Sequence, residues 1–206
     1  MLRPITAVVA GVALLGSVAA CAGNPASAAN NAPSAGASAP AGPNPNAPET
    51  NPGGDIPDTT VFVPYRYDAG HYTVAVPQGW GRTTQGAAIV FTDKLNSVRM
   101  ESVPEAAAPT VNSVRANEIP RIRATARNVR MGTVRLVQRK AGPAVETSYS
   151  ADGSPDPVTG KTVRDAVLRY EFFHNGTVAV LTLAGPVGAD NVDPWRKVTD
   201  SFGWTQ

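Results

Sequence analysis

The sequence predicts an α+β domain built on a central antiparallel sheet. Three observations predict it. Short β-rich runs recur between residues 61 and 183, bounded by Gly, Pro, Asn or Asp. Asn175-Gly176 stands between two of the longest runs, and an Asn-Gly pair suits the two φ > 0 positions of a type I′ hairpin turn. Helical spacing of apolar residues occurs in only two places, at 110–126 and 193–202.

The domain is expected to run over 59–206. Val61-Phe62-Val63 and Tyr72 to Val76 read as the first strands. Pro77-Gln78-Gly79-Trp80 reads as a turn, proline ending the strand and glycine permitting the reversal. Ala88 to Thr92 and Val98 to Val103 follow as strands, with Lys94-Leu95-Asn96-Ser97 as the loop between them. In the first helix Val111, Val114, Ile119, Ile122 and Ala126 share one face, and Thr110 suits the N-cap. Pro120 removes a donor and crowds the preceding turn, so a kink or an end is expected there.

Val129 to Val137 and Ala144 to Tyr149 read as further strands. A polar loop over Asp152 to Lys161 leads to a long strand from Thr162 to His174, and Thr177 to Leu183 is its hairpin partner. On the long strand Ala166, Leu168, Tyr170 and Phe172 mark one face, with Arg164 interrupting its start. The closing helix is expected to be capped by Asp193, with Pro194 in its first turn. Its stripe is Trp195, Val198 and Phe202, and Gly203 is its stop.

The N-terminal part reads differently. Arg3 supplies a positive start, Ile5 to Val18 a short apolar run, and Val18-Ala19-Ala20-Cys21 a small-residue cleavage site. About 7–15 apolar residues suit a cleaved signal, whereas a spanning helix needs about 20. Residues 1–20 are therefore expected to be a signal peptide. Residues 21–58, rich in Pro, Ala, Gly and Asn, cannot bury enough apolar surface to offset their ordering entropy. They are expected to form a tether, extended at about 3.1 Å per residue where polyproline-like.

Composition narrows the function classes. The chain carries 18 Lys and Arg against 16 Asp and Glu, and loss of Arg3 with the signal brings it closer to neutrality. That balance argues against a general nucleic-acid binder. Cys21 is the only cysteine, so neither an internal disulfide nor a zinc–thiolate site can form. No G-x-S-x-G elbow, H-E-x-x-H pair or phosphate loop is present, and no motif implies a cofactor.

Two resemblances carry the reading further. Val18-Ala19-Ala20-Cys21 resembles the bacterial lipobox. It implies a diacylglyceryl thioether on Cys21 as the mature N-terminus, on the outer face of the cytoplasmic membrane. Tyr72 to Trp80, a strand followed by Pro-Gln-Gly-Trp, is similar to the opening of PsbP-like domains. The order of strands, middle helix, long hairpin and closing helix is similar too. The whole chain looks like an actinobacterial lipoprotein of the LpqN-like class. This resemblance implies an α/β/α sandwich around an antiparallel sheet. It implies no shared catalytic residues, and a role beside membrane transporters or envelope assembly.

Among candidate binding residues, the basic run between Arg115 and Lys140 stands out, with Glu118 its only acid. Arg121, Arg123, Arg127 and Arg130 are the candidates for an acidic partner or anionic headgroups. Helix and strand alternation can equally spread these charges over several faces. Trp80 and Trp195 are expected in the core, and Trp204 is the tryptophan left for an exposed contact. His71 and His174 read as hairpin-end residues rather than members of a triad. Asp152 and Asp156 read as a polar turn rather than a calcium loop. The expected function is a monomeric, non-enzymatic binding or accessory module for a membrane or envelope partner. A carrier or receptor for a small amphiphile and a hydrolase are the alternatives.

Overall fold

The computed structural model describes residues 53–155 and 160–205. The expected signal segment, Cys21, most of the expected tether and Asp156 lie outside the described residues. Among the described residues the strands are β1 (Phe62–Tyr67), β2 (Tyr72–Pro77), β3 (Gly81–Gln85), β4 (Ala88–Asp93), β5 (Asn96–Pro104), β6 (Arg130–Arg139), β7 (Gly142–Asp152), β8 (Arg164–His174), β9 (Thr177–Pro186) and β10 (Gly203–Trp204). Helical segments are α1 (Val111–Ser113), α2 (Ile119–Thr125) and α3 (Val192–Asp200). Seven strands form one sheet in the order β3-β4-β5-β9-β8-β7-β6, and β1-β2-β10 form a second. All pairings are antiparallel.

The fold is thus α+β with helices on both faces of a central antiparallel sheet. Adjacent residues of β7 show the two faces. Ala144 joins the main core with Tyr72, Met100, Phe172, Leu181, Leu183, Val198 and Phe202. Val145 points the other way and packs with Val114 and Val134 beneath the middle helix. The outer layer over the main core is mixed, because α3 shares it with the small sheet. Phe172 and Phe202 stack there at 4.2 Å, joining the central sheet to the closing segment. Trp195 is buried on this side, as its stripe predicts.

The Asn175-Gly176 turn forms as expected, with φ of 46° and 78°. The Lys94–Ser97 loop is tighter than expected. Asn96 and Ser97 already pair with β4, leaving Lys94-Leu95 as the turn. β3 was not expected at all. Every residue in it is exposed, and as an edge strand with no buried face it lacks an apolar alternation to read.

The middle helix neither ends nor breaks at Pro120. Thr110 caps it, its hydroxyl accepting from the Ser113 N–H at 3.0 Å while Ser113 Oγ accepts from the Thr110 N–H. Between α1 and α2 the helix widens into a π-turn over Val114–Glu118, where the Ile119 N–H reaches Val114 O. The widened turn accommodates the proline ring two residues later without ending the helix.

Three boundaries differ from expectation. The N-cap of α3 is Asn191, not Asp193, which falls within the first turn. Gly203 is no helix stop; the C-cap is Ser201, and Gly203 pairs with Thr73 in β10. Packed chain also begins earlier than Thr59. Gly54 and Ile56 are buried. Asn191 Oδ1 accepts the Ile56 N–H at 2.8 Å, and Asn191 Nδ2 donates to Gly54 O and Asn96 Oδ1. Asn96 Nδ2 also donates to Gly54 O at 2.8 Å. This buried network explains why the Asn191 side chain does not cap its own helix: its amide is engaged by the incoming chain. Asp55 adds an exposed contact, accepting the Asp190 N–H. No apolar pattern advertised the segment, because polar side chains elsewhere in the chain hold it.

Candidate binding cleft

The site arises because the outer layer is narrower than the sheet it covers. α3 spans nine residues, about 14 Å at 1.5 Å per residue, and with the small sheet it packs over the central strands. The flank made by β6, β7 and the start of β8 is left open on that face. The strand register shows what this leaves exposed. Leu181, Tyr170, Glu146 and Arg135 lie opposite one another on β9, β8, β7 and β6. The row therefore grades from buried aliphatic to aromatic to ionic. The β8 stripe grades in the same way along its length: Phe172 and Tyr170 are buried, Leu168 half-buried and Ala166 exposed.

A cleft of about 800 Å³ occupies this flank, between α3 and the β6–β8 edge. Leu168, Tyr170 and Trp195 supply its apolar and aromatic surface, and Arg135, Arg139, Lys140 and Arg196 its cations. Glu146 is buried beneath them, its side chain only 3% exposed. Its Oε1 accepts Arg135 Nε at 2.7 Å, while Oε2 lies 3.7 Å from Arg139 Nη2. Arg139 lies over the Tyr170 ring at 5.1 Å, and its Nη2 donates to the Tyr170 hydroxyl at 2.9 Å. Burial, reinforced by the hydrogen bond to Glu146, pushes the Tyr170 phenol up to about 12. Tyr170 is therefore neutral at any physiological pH and serves to hold Arg139 in place. The volume falls in the range of small-molecule sites, roughly 300–1,000 Å³.

The opposite face of the sheet carries a different arrangement. Arg169 on β8 lies 3.0 Å from Glu171, 3.1 Å from Glu118 and 3.4 Å from Glu101. Arg99 and Arg121 close the outer sides of Glu101 and Glu118. Burial raises the Glu171 carboxyl, and the Arg169 guanidinium opposes that rise. The cluster joins the middle helix to the sheet.

None of the binding residues proposed from sequence lines the cleft. Arg121 is engaged by Glu118 at 2.8 Å, an i,i+3 pair within the helix. Arg123, Arg127 and Arg130 are exposed on α2, the following loop and the start of β6, outside the cleft. Trp204 is half-buried rather than a free platform, packing at 5.1 Å on Phe202, 6.0 Å on Tyr72 and 5.4 Å on His174. His71 occupies an exposed left-handed turn position, and His174 is exposed at the end of β8. Asp152 is held by Arg164 and Asn128. Among the described residues no three His, Cys, Asp or Glu groups gather as a metal site. The cleft instead takes its cations from the later part of the basic run. Strand spacing was the available signal: Arg135, Val137 and Arg139 share one face of β6, opposite Glu146.

No protein-family profile matches the sequence, and no curated protein matches it. Several solved structures resemble the fold. Cyanobacterial PsbP from Synechocystis aligns at 12% identity over 73% of this chain and 98% of its own, with a TM-score of 0.48. The Ran-binding protein Mog1p of Saccharomyces cerevisiae aligns at 10% identity over 72% and 97%, with a TM-score of 0.47. A protein from Bacteroides thetaiotaomicron aligns at 11% identity and a TM-score of 0.43. This chain spans about half of that protein's length, 46%. At this level of identity no activity, ligand or partner passes from these proteins to this chain.

Proposed function

We propose that the chain is a lipid-anchored, non-enzymatic binding module of the cell envelope. The observation that carries the binding role is the cleft between α3 and the β6–β8 edge. Arg135, Arg139, Glu146 and Arg196 belong to strands and a helix, with Lys140 in the short β6–β7 turn, so most of the surface is carried by regular structure. The lining groups are chiefly cations and aromatic rings, and the buried Glu146 carboxylate is engaged by Arg135 and Arg139, an arrangement that suits recognition. The anchor rests on Cys21 and the lipobox before it. Two acyl chains on one cysteine would meet the requirement for stable membrane attachment.

A membrane transporter or an envelope-assembly protein is the partner class that the LpqN-like resemblance supports. A carrier or receptor for a small molecule is the second reading, and the size of the cleft favours it. The chain is expected to hold the domain at the outer face of the membrane in either case.

Cys21→Ser tests the anchor. Serine lacks the thiol that forms the thioether, so the variant is expected to lose metabolic acyl label and to leave the membrane fraction. Undiminished label, or full retention in the detergent phase, would remove the lipid anchor from this reading while leaving the cleft untouched.

A further inference from the structure

The cleft has an incomplete charge balance, and the imbalance centres on Arg139. Its side chain is 21% exposed, so most of the guanidinium stem and head is removed from water. Its Nε is buried and, among the described residues, lacks a hydrogen-bond partner. The nearest carboxylate, Glu146, directs Oε1 to Arg135 at 2.7 Å and leaves Oε2 at 3.7 Å from Arg139. The shortest polar contact of its guanidinium, 2.9 Å to the Tyr170 hydroxyl, is to a neutral group. Lys140 and Arg196 add exposed positive charge at the rim. Glu146 and Asp200 are the acids lining the cleft, against four cations. A partly desolvated, underpaired cation gains from meeting an anion, since charge-assisted hydrogen bonds are about twice as strong as neutral ones.

The rest of the lining selects the remainder of the ligand. Leu168, half-buried, and Val192 and Ala166, exposed, offer apolar surface beside the cations, over a floor made by the buried Tyr170 and Trp195. An ion without an apolar body would leave that surface wet.

We infer that the cleft is a binding site for a small organic anion, a carboxylate or phosphate joined to a ring or other compact apolar group. The anionic end meets Arg139, Lys140 and Arg196, and the apolar end lies on Leu168 and Val192 over the Tyr170 and Trp195 floor. This rests on the reading of the domain as a binding module and names the chemistry that its site takes.

Calorimetric titration of the full chain with phenyl phosphate and with benzoate tests it. Both sources of negative charge should bind saturably, with Kd below about 1 mM. Benzyl alcohol, which keeps the ring and loses the charge, should bind at least about tenfold more weakly. Inorganic phosphate, which keeps the charge and loses the ring, should also bind at least about tenfold more weakly. Arg139→Gln should abolish the preference for the charged ligands. If that variant does not fold, the exposed pair Lys140→Gln and Arg196→Gln provides the test, with an expected loss of about threefold to tenfold in affinity. Equal binding of benzyl alcohol and the anions, binding unaltered by the exposed double variant, or no saturation with either anion would overturn the inference. Equal binding of inorganic phosphate would overturn its apolar half. A positive titration alongside unlabelled Cys21 would keep the site and discard the anchor, so the two failures are separable.

Discussion

Trp195→Ala is expected to cost the fold about 3–5 kcal/mol, the range for truncating a large buried aromatic. Trp195 is 6% exposed and meets Trp80 edge-to-face at 6.4 Å. It belongs to the same packed group as Val198 and Phe202 on the closing segment. Domains of this kind are held by only about 5–15 kcal/mol, so the variant should be severely weakened or unfolded. Denaturant titration reads the loss directly. Trp195→Phe, which retains a ring, should recover part of the stability. A loss below about 1 kcal/mol for the alanine variant would mean that Trp195 serves the cleft alone and that α3 is not fastened through it.

Arg169→Met is expected to destabilise by a similar amount, about 3–5 kcal/mol at neutral pH, because it leaves buried carboxylates without their shared cation. Arg169 is 14% exposed, and its Glu171 partner only 6%. The pH dependence separates this cause from lost packing. Without the guanidinium that opposes the effect of burial, the Glu171 carboxyl titrates at still higher pH in the folded chain than in the unfolded one. The folded state then binds more protons between the ordinary glutamate value, 4.5 for Glu171, and the raised one. Stability therefore increases as pH falls through that window, and the deficit relative to the parent should shrink. A deficit of the same size at pH 7 and near pH 4 would assign the loss to packing rather than charge.

The elements easiest to read from sequence were those fixed by local chemistry. Asn175-Gly176 specifies its own turn whatever surrounds it, and Thr110 caps its helix with a partner three residues away. The stripe of Trp195, Val198 and Phe202 announces a buried face. Elements fixed by distant partners were not legible. β3 exists because β4 offers it a hydrogen-bonding edge, and its side chains carry no trace of that. Gly54 to Ile56 is bound by amides more than 40 residues away. The cap of α3 moved from Asp193 to Asn191 because helix boundaries follow backbone geometry, which the tertiary network can shift by a residue or two.

The candidate site divides along the same line. The basic run was visible in the sequence, but its division among faces was not. Arg121 turned to Glu118, Arg123, Arg127 and Arg130 stayed on the outside, and Arg135 and Arg139 entered the cleft. Which arginine does which depends on where the helix ends, on the irregular β6 pairing between Met131 and Val134, and on Glu146 one strand away. Trp204 was assigned to the surface because it lies near the chain end. β10 instead draws it beside Tyr72 and Phe202.

Site-specific photocrosslinking in intact cells tests the binding-module reading most directly. A photoreactive side chain at Lys140 places the probe on the rim of the cleft, and the same probe at Arg123 places it on α2, outside the cleft. Both positions are exposed, so neither probe disturbs the core. Adducts are expected from position 140 and not from 123, and they should diminish when Cys21→Ser removes the chain from the membrane. Adducts from position 123 alone, or an absence of adducts from position 140, would contradict the cleft as the face that this protein uses.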